Sequence, residues 1–162
     1  MAVRTLHNSN EISALAVAAK RSCAPQWRAF MEALGSALPE ITGDEMALRI
    51  LAKTGAAIAK AQPLSPCNSL KDLKAAINTG LEAMDWGQVD IRETERALEF
   101  VIVGYPHFEG VDARAAFAAT LEALLDAWLS LQASRPGLSV RLAERGAGSY
   151  PPLVFRYERG VS

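Results

Sequence analysis

The chain has 162 residues, 50% hydrophobic and 22% charged, with 17 Lys and Arg against 18 Asp and Glu for a formal net charge of -1. That length suits one globular domain, since domains usually run to roughly 100–200 residues. The apolar content and near-zero charge exclude disorder, and the charge balance leaves no footprint for nucleic-acid phosphates or an anionic membrane. The same balance favours self-association. Two cysteines, Cys23 and Cys67, are too few for a disulfide framework or a zinc quartet and read as thiols of a cytoplasmic protein. The apolar run Ile12 to Ala19 has Glu11 before it and Lys20 and Arg21 after it, the reverse of a secretory signal. No run approaches the length of a membrane span.

Residues 1–24 read as an N-terminal extension, flexible or helical, with a weak stripe of Ile12, Leu15, Ala16 and Ala19. Residues 25–162 read as a single α+β domain. Pro25 opens a helix with Trp27, Phe30, Met31, Leu34 and Leu38 on one face, expected to end at Pro39. Thr42 and Glu45 have capping-box spacing, and the helix expected after them carries Met46, Ile50, Leu51 and Ile58, with Gly55 marking close packing or a bend. After a proline-punctuated loop, Ser69 and Asp72 repeat the cap spacing ahead of Leu70, Leu73, Ile77, Leu81 and Met84. At Asp85-Trp86-Gly87 the period changes to alternation. Val89 and Ile91, then Leu98, Phe100 and Ile102, predict an antiparallel hairpin whose second strand, Ala97 to Val103, is apolar on both faces. Such a strand needs a helix layer or another subunit against its second face. Asp112 is the expected cap of a helix presenting Phe117, Leu121, Leu124, Leu125 and Trp128, stopped by Arg135-Pro136-Gly137. Leu138, Val140, Leu142 and then Leu153, Phe155, Tyr157 form a second hairpin around Gly146 and Gly148. The expected fold is α+β: helices packed with a four-stranded antiparallel sheet made of two hairpins.

Catalytic signatures are thin. His107-Phe108-Glu109 matches the H-x-E element of zinc deaminases, and Pro66-Cys67 matches half of their P-C-x-x-C. The second cysteine is missing and the chain order is reversed, so the ligand set fails. A Cys67–His107 nucleophile pair is open to spacing, because such partners meet in space, yet a loop histidine and a half-buried thiol explain both. Gly146-Ala147-Gly148 lacks the third glycine of a dinucleotide loop. Trp27 and Trp128 lie in apolar helical stripes and read as core; Trp86, at a turn, reads as structural. From the residues alone this is a non-enzymatic module, without metal or cofactor, that self-associates.

One segment is more specific. Pro66-Cys67-Asn68-Ser69-Leu70-Lys71-Asp72-Leu73 leads to Leu81-Glu82-Ala83-Met84-Asp85-Trp86-Gly87-Gln88-Val89, and the order continues through Leu98 to Val103, Pro106 and the helix holding Trp128. With the upstream helices it resembles the family of the bacterial cellulose synthase D subunit from about Trp27 to Tyr157. The resemblance implies a non-catalytic accessory subunit of cellulose biosynthesis, built as a ring-like homo-octamer of dimers, with passages that guide glucan chains. Its implied partners are further copies of itself, the membrane subunits of the synthase, a glucan chain and, in some systems, a proline-rich cytoplasmic protein. It implies a place in the cytoplasm beside the inner membrane. Pro66, Cys67, Trp86 and Gly87 are then structural motif residues. Lys20 and Arg21 are the glucan-contact candidates, set against a plain solvated basic pair. The competing readings are a small-molecule or peptide-binding regulatory module and an enzyme using Cys67 and His107.

Overall fold

The computed structural model describes residues 23–132, 136–143 and 151–160. Within them run α1 (Pro25–Thr42), α2 (Asp44–Ala61), α3 (Leu70–Ala83), β1 (Gln88–Glu93), β2 (Leu98–Val103), α4 (Val111–Gln132), β3 (Leu138–Leu142) and β4 (Leu153–Arg159). This is the expected α+β order. The strands form one antiparallel sheet in the order β1-β2-β4-β3, so the two hairpins meet through β2 and β4.

Register places Val89, Ile102 and Leu153 in one row and Ile91, Phe100, Phe155 and Leu142 in the next. Alternation then points these side chains to one face. Phe100, Ile102, Phe155 and Val140 are fully buried there. α4 packs against β3 and β4, α3 against β1, and α1 and α2 lie on α4. α4 is therefore a central helix, with Ala113, Phe117, Ala118, Thr120, Leu121, Leu125 and Trp128 all buried. A helix packed on several sides needs apolar residues beyond the single stripe expected from Phe117 to Trp128. The strand Ala97 to Val103, open to another subunit by sequence, is used inside the protomer, where Phe100, Val101 and Ile102 are buried; so are Phe117, Ala118, Leu121, Leu124, Leu125 and Trp128 of α4.

Several local expectations change. Pro39 lies inside the last turn of α1, which continues to Thr42. Its carbonyl still accepts from the Gly43 amide at 2.8 Å, so the helix closes one turn beyond the proline. Thr42 does not cap α2: its hydroxyl donates back to the Leu38 carbonyl at 2.8 Å, and Gly43, at φ +80°, makes the corner before Asp44. Ser69 does cap α3, accepting from the Asp72 amide at 3.1 Å. Asp72 reaches back to the Asn68 amide at 3.2 Å. Asp112 lies within the first turn of α4 rather than ahead of it. The amides just before that helix are taken by the carboxylate of Glu32 on α1, which accepts from Glu109 at 2.6 Å and from Gly110 at 3.0 and 3.1 Å. Phe30, expected on the buried face of α1, is 59% exposed, and Leu70 is also exposed.

α2 departs most from expectation. Its core stripe is Ala47, Leu51, Gly55 and Ala59, while Met46 and Ile50 face outward. The reason is separation. A Cβ on Gly55 would press on the Thr120 carbonyl and meet the Leu124 amide nitrogen at 2.8 Å. At Gly55 no side chain fits between backbones that close.

Candidate functional site

The Pro66-Cys67 loop is clamped to the end of α4. The Gln132 side-chain oxygen accepts from the Cys67 amide at 3.0 Å, and its nitrogen donates to the Ser65 carbonyl at 3.0 Å. One turn earlier, the Trp128 indole donates to the Gln62 carbonyl at 2.8 Å. Trp128 itself is packed against Gly80 of α3, where a Cβ would meet its ring at 2.8 Å. The loop, α3 and α4 are thus fastened around one tryptophan.

The Trp86-Gly87 turn has an equally structural explanation. Trp86 is 7% exposed and sits edge-on to Phe117, ring centroids 5.1 Å apart, with Trp27 stacked at 6.4 Å. Gly87 has φ +97°, and a Cβ there would meet the Tyr105 amide nitrogen at 2.9 Å as well as the Val103 carbonyl. Both the left-handed backbone and the close approach demand glycine. Asp85, beside it, also takes a positive φ of 54°. Immediately after, Asn78 of α3 pairs with both backbone groups of Val89. Its oxygen accepts at 2.7 Å and its nitrogen donates at 3.1 Å, like a neighbouring strand. Tyr105 completes the cluster by donating to the Pro151 carbonyl at 2.6 Å.

Cys67 and His107 are not brought together. Cys67 is bound to Gln132 at the C-terminal end of α4. The His107-Phe108-Glu109 segment is held at the N-terminal end, where Arg114 donates to the Phe108 and Glu109 carbonyls at 3.0 and 2.7 Å. The 18 residues between Arg114 and Gln132 span about 27 Å of helix. Burial, with the Asp72 charge adding to it, pushes the Cys67 thiol up from its ordinary value. That shift disfavours the thiolate a nucleophile requires. The thiol donates to the Ser65 carbonyl at 3.1 Å. Among the described residues, no three of His, Cys, Asp and Glu gather as a metal site.

The described residues include two mainly apolar concavities. One, of about 320 Å³, is lined by Cys23, Trp27, Met84, Asp85, Trp86 and Pro106. The other, of about 260 Å³, lies between α1, α2 and the start of α4 against Leu38, Pro39, Leu48 and Leu51. Asp44 and Asp112 are the charged residues lining the second. Lys20 and Arg21 lie outside the described residues, as do Gly146 and Gly148.

The family model for the D subunit of cellulose synthase matches residues 13–157. The chain belongs to the cellulose synthase D-subunit family. Its role therefore lies in bacterial cellulose synthesis, within a family of accessory rather than catalytic subunits. No curated protein matches the chain. The match starts upstream of Trp27, where the motif resemblance begins, so Lys20 and Arg21 fall inside the matched span and not beyond it. Among the described residues of this D-subunit family member, no helix is long and apolar enough to cross a membrane. Glu32, Asn78, Glu122, Asp126 and Gln132 are not foreshadowed by the sequence. Each binds backbone groups far along the chain, and single polar residues on helices carry no local signal of that.

Proposed function

We propose that this D-subunit family member acts without catalysis, organising synthase complexes and guiding glucan chains towards export and crystallisation. The family match over most of the chain carries the reading. The polar chemistry of the fold supports it: the Gln132, Trp128 and Arg114 contacts are spent on backbone groups, leaving Cys67 and His107 at opposite ends of α4. A subunit of this kind works through repeated surfaces. Copies assembled as dimers into a ring-like homo-octamer present many weak contacts at once, and avidity then holds synthases in register. The partners in this reading are the membrane subunits of the synthase and, where one is encoded, a proline-rich cytoplasmic protein, at the inner face of the inner membrane. A glucan passage through the ring needs polar groups without a tight pocket, because tight binding would stall the chain. Lys20 and Arg21 are the candidates to line it.

Deletion tests the reading. Cells lacking the protein are expected to make less, or less ordered, cellulose, while glycosyl transfer by the purified synthase in vesicles proceeds at its normal rate. Loss of transfer in that reconstituted assay would refute the accessory role.

A further inference from the structure

Helix α1 leaves part of its apolar stripe uncovered. At about 100° per residue, Trp27, Phe30, Leu34 and Ile41 fall within about 60° of arc. Phe30 is 59% exposed and Ile41 80%, while Trp27 and Leu34 are half-buried. Phe30 stacks on Trp27, ring centroids 6.2 Å apart, and Trp27 lines the concavity it shares with Cys23, Trp86 and Pro106. Among the described residues the Trp27 indole nitrogen is buried with no hydrogen-bond partner. A buried indole N–H ordinarily finds an acceptor.

The chain itself brings a cover to this place. Cys23 is buried, its carbonyl accepts from the Arg28 guanidinium at 3.3 Å, and α1 starts just beyond it at Pro25. Residues 12–19, outside the described residues, carry the stripe Ile12, Leu15, Ala16 and Ala19. The family match begins at residue 13, so all of that stripe except Ile12 belongs to the matched unit. Two helices joined by a connection as short as residues 22–24 pack antiparallel as neighbours. Counted back from a turn at Cys23, a helix over the stripe sets Ala19 level with Trp27, Ala16 with Phe30 and Ile12 with Leu34. Small side chains then oppose the two large rings, and the two branched ones meet further on. The last carbonyls of a helix have no partner within it, so those of the final turn before Ser22 would arrive beside the unpaired Trp27 N–H.

We propose that residues 12–19 form a helix that folds back on α1 of the same chain, with Ala19, Ala16 and Ile12 against Trp27, Phe30 and Leu34, and closes the concavity beside Trp86. In that packing Arg21 lies about 180° round the helix from Ile12 and turns away from α1, which displays it to a glucan. Only this role of Arg21 rests on the chain-guiding reading above.

Cross-linking within the chain tests the packing. In a Cys23→Ala, Cys67→Ser background, Ala16→Cys combined with Phe30→Cys should form a disulfide under mild oxidation, seen as a single chain whose mass falls by two hydrogens. A bond found only between chains would give this face to another copy, and that result, or no bond at all in protein folded by circular dichroism, would overturn the proposal. The face is read separately in the full chain without added cysteines. Ala16→Glu should lower Tm and raise acrylamide quenching of the tryptophan fluorescence, whereas Ala14→Glu, on the far side of the same helix, should change neither. Equal effects at the two positions would show that residues 12–19 do not present this stripe to α1, and the proposal would fail. Arg21→Glu should leave the cross-link intact while reducing the order of the cellulose made in cells. An intact cross-link with normally ordered cellulose would overturn the role of Arg21 alone.

Discussion

A methyl group added at Gly55 would meet the Ala123 side chain and the Leu124 amide nitrogen at 2.8 Å and press on the Thr120 carbonyl. Helix propensity favours Ala over Gly by about 1 kcal/mol, so an unobstructed site would gain from the change. Here the obstacles are backbone, and overpacking costs about 1–3 kcal/mol. Gly55→Ala is therefore expected to lower the urea midpoint, and a raised midpoint would show that α2 can slide away from α4 without loss. Asp90 is the other informative residue. The Lys74 ammonium, 2.7 Å away, holds its carboxyl below the ordinary value by hydrogen bonding, opposed by partial burial and aided by the charges of Lys74 and Arg92. A carboxylate held low stabilises the fold fully above the ordinary carboxylate range, near ~4, and loses that contribution as pH falls through its own lower value. Both side chains are about half exposed, so the pair contributes less than about 1 kcal/mol. Lys74→Ala should raise the Asp90 titration midpoint read by NMR, with little change in stability at pH 7. An unmoved midpoint would remove Lys74 as the cause.

Between elements, helix side chains take up part of both outer edges of the sheet. On β3, the Val140 amide donates to Asp126 at 2.8 Å and the Leu142 amide to Glu122 at 2.6 Å, the two carboxylates standing one turn apart on α4. On β1, Asn78 occupies both groups of Val89. Open strand edges invite pairing with other chains, and these side chains take up edge donors first. Asp126→Ala leaves the Val140 amide unpaired in a partly buried place, a loss of about 1–3 kcal/mol. Hydrogen exchange should quicken at Val140 and its β3 neighbours, with β1 unaffected; unchanged protection at Val140 would show that the carboxylate does not hold this edge. Contacts of this type also mark the limit of what a sequence makes legible. The Ser69 cap is legible because its partner is three residues away, and the hairpins because alternation is local. Spacing alone points to Asp112 as the cap of α4, yet Glu32 supplies the hydrogen bonds to Glu109 and Gly110 from 77 and 78 residues away. The buried stripe of α2 is hidden for a related reason: size, rather than hydrophobicity, decides which residues fit beside Thr120. Pro66, Cys67, Trp86 and Gly87 are recognisable as motif residues, but the hold of Gln132 on Cys67 and the close approach of Gly87 to the Tyr105 backbone depend on the completed fold.

For the whole molecule, these local exclusions have a thermodynamic consequence. α4 and β2 are satisfied within the protomer, and polar side chains occupy part of both sheet edges, so association does not require opening the core. Copies that join should meet as folded units. Assembly then stabilises the folded state by mass action, because the unfolded chain has no folded surface to offer. Under the proposed assembly, Tm is expected to rise with protein concentration. If the protein shows no concentration dependence while remaining assembled throughout the melt, dissociation is not linked to unfolding and the mass-action account fails.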